Sequence, residues 1–180
     1  MKTNLRTLLK EFHELPLAGQ DSLLKSLYNF SPETRLLMAN YLSGQADFSD
    51  LIGKMESETT GKVSRWRVPD ARRVSYIVNS AVKARAPFEV MMELEQLAYS
   101  GFIDFLNLYG GGPDSFLTQG PKHLEAYLLI VKNNLPSSQQ AEIFEDVRKY
   151  LLNNDNMDTG ETYEVFESVT GIKVRHPHSK

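Results

Sequence analysis

Cysteine is absent from the chain, which removes thiol catalysis, disulfides and Cys-ligated zinc together. No apolar run approaches the length of a membrane span, and Met1-Lys2-Thr3-Asn4 leads straight into an amphipathic pattern without the apolar block of a signal peptide. These absences set the expectation of a soluble, cytoplasmic protein with no membrane partner. Only four histidines occur, His13, His123, His176 and His178, and none sits in a pattern that carries catalysis. His176-Pro177-His178 reads as a surface tail rather than a metal site. Gly110-Gly111-Gly112 lacks the Lys-Ser/Thr pair of a phosphate loop and reads as a helix terminator. No nucleophile elbow ties a serine to a histidine and an aspartate. No catalytic residue, no metal site and no cofactor is therefore expected, and an enzyme of unknown class is the least supported function.

The 180 residues, 41% hydrophobic and 24% charged, suffice for one sizeable core or two small neighbouring units. Apolar residues recur at helical spacing almost everywhere that turn residues leave room. Leu5, Leu8, Leu9 and Phe12 form one stripe, and Leu23, Leu24, Leu27 and Tyr28 form a second beyond the break at Leu15-Pro16. Ser31-Pro32-Glu33 reads as N-cap, first-turn proline and first-turn acid of a third helix. A fourth covers Phe48 to Met55. The run Glu56-Ser57-Glu58-Thr59-Thr60-Gly61 reads as a linker, and Val63 to Val68 as an extended arm.

Pro69-Asp70 opens a helix with Ala71, Val74, Val78, Ala81 and Val82 inward and Arg72, Tyr76, Asn79 and Lys83 outward. From Phe88 to Tyr109 a single narrow polar stripe, Glu89, Glu93, Gln96, Ser100, Asp104 and Asn107, leaves nearly everything else apolar, which predicts a central helix covered on several sides. Gly101 within it marks close packing or a kink. Gly120-Pro121 opens the next helix, Pro136-Ser137 another, and Tyr163, Phe166 and Val169 a last short one. The expected fold is all-α, a multi-helix bundle or stacked helical hairpins, with tetratricopeptide-like packing as an analogy. Its organisation reads as an N-terminal helical subdomain over residues 1–60, a larger bundle over 61–170 and a basic tail over 171–180, or one compact domain overall.

Charge supplies the functional clue. The net charge of -3 argues against nonspecific nucleic-acid binding by the whole surface. Between Gly61 and Ala86, however, Lys62, Arg65, Arg67, Arg72, Arg73, Lys83 and Arg85 face the single carboxylate of Asp70, whereas Glu89 to Glu167 is strongly negative. Lys62, Arg65, Trp66, Arg67, Arg72, Arg73, Tyr76 and Lys83 are therefore the candidate binding residues for a macromolecular partner. The arginines could hold phosphates while Trp66 or Tyr76 stacks on a base. The plainer reading pairs these charges with the acidic second half and anchors Trp66 on the core. Lys173, Arg175 and Lys180 extend the positive surface if the tail folds back. Glu89, Glu93 and Gln96 share a helix face but lack the Glu-x-x-His partner of a dinuclear site, so they read as a solvated face or as ion-pair partners of Arg72 or Arg73. A protein partner takes precedence over nucleic acid, and the expected function is a non-catalytic protein-interaction module.

Leu23 to Glu33, with Leu15-Pro16 before it, resembles the opening of a family of small bacterial helical proteins known as domain of unknown function 6155. Ala71-Arg72-Arg73, Gly101-Phe102-Ile103-Asp104-Phe105 and the Tyr109-Gly110 turn follow in the order of that family. Gly111-Gly112-Pro113 departs from its more acidic turn. The resemblance implies a helical architecture over most of the chain and implies no functional residue.

Overall fold

Helix punctuation settles most of the architecture. In the computed structural model, which describes residues 4–44, 46–155 and 160–174, the chain is all-α, with ten helices and no strand among those residues. It divides into two compact units, one running to Asp47 and including Lys83–Arg85, the other comprising Phe48–Val82 and the chain from Ala86 onward.

The first unit holds α1 (Leu5–Glu14), α2 (Leu17–Tyr28) and α3 (Pro32–Ser43). The Asn4 side chain caps α1 by accepting the Thr7 N–H at 2.9 Å, and Ser31 Oγ caps α3 by accepting the Thr34 N–H at 3.1 Å, with Pro32 in the first turn. Gly44 ends α3 in the left-handed conformation, at φ 64°. The Arg35 guanidinium stands 4.9 Å from the centre of the Tyr28 ring and ties α3 to α2.

In the second unit, α4 (Ser49–Glu58), α5 (Thr60–Val63), α6 (Ala71–Lys83, all but its last residue), α7 (Phe88–Tyr109), α8 (Asp114–Asn134), α9 (Ser137–Asn153) and α10 (Gly160–Thr170) follow. As its apolar surface predicts, α7 is central: α8 packs along it, α4 and α5 lie against it, and α9 and α10 cover α8. Tyr99 and Ile103 of α7 join Leu124, Leu128, Phe144 and Phe166 in one buried cluster. Gly101 marks close packing, because a Cβ there would lie 2.4 Å from the Thr59 Cβ.

Four expectations are corrected. The Glu56–Gly61 stretch is no linker: it is helical across α4 and α5, Glu58 and Thr59 are buried, and the units part between Asp47 and Phe48 instead. Its polar letters mislead because the Thr59 hydroxyl donates to the Met55 carbonyl at 2.7 Å, which satisfies it inside the helix. Val63 to Val68 is no extended arm, since Val63 is buried in α5 and the next three residues form a turn. Pro121 does not open a helix but lies inside α8. The missing N–H removes one rung, while the turn before it is held by Phe116, whose ring packs 4.8 Å from Phe102 and 5.3 Å from Phe105. Finally, Ile77 rather than Val82 belongs to the buried face of α6, Val82 being 56% exposed.

Candidate functional surfaces

Three arrangements are candidates for a functional site, and the basic edge is the one expected from charge. Its organiser is Glu58, a residue the linker reading passed over. The buried Glu58 carboxylate takes an ion pair from Lys62, accepts the Asp70 N–H at 2.8 Å, and has Arg73 at 3.7 Å. Asp70 then caps α6, accepting the Arg72 N–H at 2.9 Å and the Arg73 N–H at 3.4 Å. The Arg72 N–H, more than any other cause, holds the Asp70 carboxyl below its ordinary value; the Arg73 N–H and the charges of Lys62 and Arg73 act in the same direction against burial. Lys62 and Arg73 are thus committed locally. Among the described residues, no ion pair joins the basic segment to the acidic second half, which corrects both that pairing and the suggested use of the α7 stripe by Arg72 or Arg73. Arg65, Arg67, Arg72, Tyr76 and Lys83 are exposed.

Trp66 is 75% exposed, and its ring meets that of Tyr109 edge-on at 5.4 Å. It does not anchor an arm on the core. Its backbone is unusual: Trp66 sits at φ 60°, the Trp66 N–H donates to the Val63 carbonyl at 3.1 Å, and the Arg67 N–H donates to the Lys62 carbonyl at 2.9 Å. These two bonds make a Schellman ending, and Trp66 occupies the left-handed position that glycine ordinarily fills. Lys173 is exposed, but Val174 is buried and its N–H is accepted by Glu167 at 2.7 Å, so the start of the tail is packed. Arg175, His176, His178 and Lys180 lie outside the described residues.

The second arrangement is a buried pair inside the larger unit. His123 Nδ1 and Glu95 Oε2 are 2.6 Å apart, with the two side chains 4% and 6% exposed. His123 Nε2 makes no hydrogen bond, and its ring stacks 6.0 Å from Phe102. Glu95 was detectable in principle, being a carboxylate off the polar stripe of α7 that must find a partner when buried; its partner 28 residues away was not. Closed off from solvent, the pair joins α7 to α8. Among the described residues, no group of three or more His, Asp or Glu side chains is placed to hold a metal.

The third arrangement lies in the first unit. Leu8, Leu9 and Phe12 of α1, Leu15 after it, and Leu23 and Leu27 of α2 line an open groove of about 420 Å³, with Glu11 at its side. The leucines are 39–49% exposed. Between Asn4 and Asp47, no residue whose burial is described is buried.

Together these features define a class by fold alone: an all-α protein of packed helices. No helix among the described residues is long and apolar enough to cross a membrane. Compared with protein-family models, curated proteins and solved structures, the chain matches none.

Proposed function

We propose that the chain is a non-catalytic protein-interaction module that assembles through its N-terminal helices, with a second copy of the same chain in the α1–α2 groove. The observation that carries this is the absence of a buried residue between Asn4 and Asp47, among those whose burial is described, beside a groove of six apolar side chains. Three short helices need tertiary cover, because isolated helices shorter than about 12–15 residues are marginal in water. The cover must be present whenever the chain is folded, and a second copy meets that condition. A twofold arrangement would place the same leucine-rich patch on both sides, the usual geometry of homodimers.

Sedimentation equilibrium tests this reading. The wild-type chain is expected to be dimeric at micromolar concentration, and Leu27→Glu, at a site 41% exposed, is expected to render it monomeric, with helix lost from α1 to α3 and retained in the larger unit. A wild-type chain that stays monomeric at every concentration rejects the proposal.

One observation favours a second reading, binding of single-stranded nucleic acid. Trp66 is presented outward between Arg65 and Arg67, and Arg72 is also exposed. A phosphate-binding edge predicts a fall in log affinity against log salt of about 0.7 for each phosphate neutralised on a single strand. Replacing Arg65, Arg67 and Arg72 together by Gln should flatten that slope, and affinity unchanged by the replacement excludes this edge.

A further inference from the structure

Between Glu58 and Arg73 five cations stand against two carboxylates, Glu58 and Asp70. The two carboxylates are not equivalent. The Glu58 side chain is 8% exposed and that of Asp70 44%. Glu58 pairs with Lys62, one turn further along the chain, and has the Arg73 guanidinium at 3.7 Å; Asp70 reaches Arg73 at 3.8 Å. Among the described residues, no carboxylate pairs with Arg65, Arg67 or Arg72. An ion pair sheltered from solvent is screened by salt far less than an exposed one. Glu58 therefore restrains its cations under conditions in which the more exposed Asp70 holds Arg73 weakly.

The same carboxylate has a geometric task. Glu58 Oε1 accepts the Asp70 N–H at 2.8 Å, twelve residues along the chain, and this bond closes the segment that carries Arg65, Trp66 and Arg67. Pro69, beside the bond, is buried, while Trp66 within the closed segment is held outward at φ 60°. An amide oxygen at position 58 would accept the same N–H but would bring no charge to Lys62 or Arg73. Charge and geometry are thus separable by one substitution.

We propose, resting on the single-strand reading of this edge, that Glu58 is a built-in competitor of phosphate: its carboxylate holds Lys62 and Arg73 back from a single-stranded nucleic acid and leaves Arg65, Arg67 and Arg72 to make the phosphate contacts. A phosphate that approaches Arg73 meets a guanidinium already facing an anion, and the two anions repel each other across it. Lys62 is held more closely still, its side chain being 24% exposed. A cation neutralised inside the chain releases no counterion from the nucleic acid, so it adds nothing to the salt dependence of binding.

Fluorescence anisotropy of a labelled oligothymidine, titrated with the full chain across a salt series, is the test. For the unaltered chain, log affinity should fall against log salt with a slope of about 2, one phosphate for each of the three arginines. Arg72→Gln should lower that slope by about 0.7 and Arg73→Gln by less than half as much, although the two residues are adjacent and both exposed. Glu58→Gln keeps the acceptor for the Asp70 N–H. It should raise the slope by about 0.7 to 1.4 and tighten binding at low salt, and Lys62→Gln added to it should take back about half of that increase. A loss with Arg73→Gln equal to that with Arg72→Gln overturns the proposal, whether or not Glu58→Gln folds, and so does a Glu58→Gln slope at or below that of the unaltered chain. An unaltered chain that fails to bind even at low salt rejects the single-strand reading itself, and the proposal with it.

Discussion

Trp66 shows how a single exposed residue can carry a local backbone cost. A bulky L-residue in the left-handed region costs roughly 1–2 kcal/mol, which glycine avoids. Trp66→Ala and Trp66→Gly both remove the ring and its edge contact with Tyr109, but only glycine relieves the backbone at φ 60°. Trp66→Gly is therefore expected to be more stable than Trp66→Ala by about 1 kcal/mol in urea denaturation. Equal stabilities would mean that the turn rearranges in both variants. Asp104 makes a comparable case through its charge. Burial raises its carboxyl above the ordinary 3.8, and the hydrogen bond from Tyr150 only partly offsets this. A raised carboxyl means that the folded chain holds the proton more tightly, so the stability linked to this group is present below pH 3.8 and is lost as pH rises through the folded value. Asp104→Asn removes that loss. The variant's stability relative to wild type should increase from acidic to neutral pH, and a difference independent of pH would remove the electrostatic account.

Elements follow from sequence where a local rule governs them and depart from it where packing does. Ser31-Pro32 marks the start of α3 because capping is local, and the length of α7 is legible because its polar stripe is narrow and continuous. Pro121 and the Glu56–Gly61 run are misread for the opposite reason. One is carried through α8 by the burial of Phe116, and the other is held in helices by contacts with α7 that no local pattern announces. The candidate sites divide in the same way. The basic edge is legible as a run of charge, but the commitment of Lys62 and Arg73 to Glu58 is not. Gly101 joins the two kinds of information, since its spacing is local but its reason is Thr59, at the junction of α4 and α5. Gly101→Ala would gain about 1 kcal/mol of helix propensity. The new Cβ, at 2.4 Å from the Thr59 Cβ, cannot be accommodated without moving α4 and α5, and overpacking of this kind typically costs 1–3 kcal/mol or more. A net loss of thermal stability is the expected result, and a gain would show that the approach of Thr59 to α7 is loose.

At the scale of the whole molecule, the two units differ in what holds them. The larger has a continuous core from α7 to α10, whereas the smaller combines two caps and a cation–π contact with largely exposed leucines. Local opening is governed by such differences, because segments with few buried contacts exchange their amide hydrogens without global unfolding. In dilute solution, the amides of α1 to α3 should therefore exchange faster than those of α7 and α8 by several orders of magnitude. The self-association proposed for the α1–α2 groove would add a concentration dependence. A partner that binds only the folded unit stabilises it by RT ln(1 + [L]/Kd), which reaches about 2.7 kcal/mol when the partner is at a hundred times its Kd. Protection of α1 to α3 should rise by up to about a hundredfold across such a concentration series while that of α7 and α8 stays level. Protection in α1 to α3 that is strong already in the dilute monomer would show that the smaller unit is held within a single chain, and the groove would then not be the assembly surface.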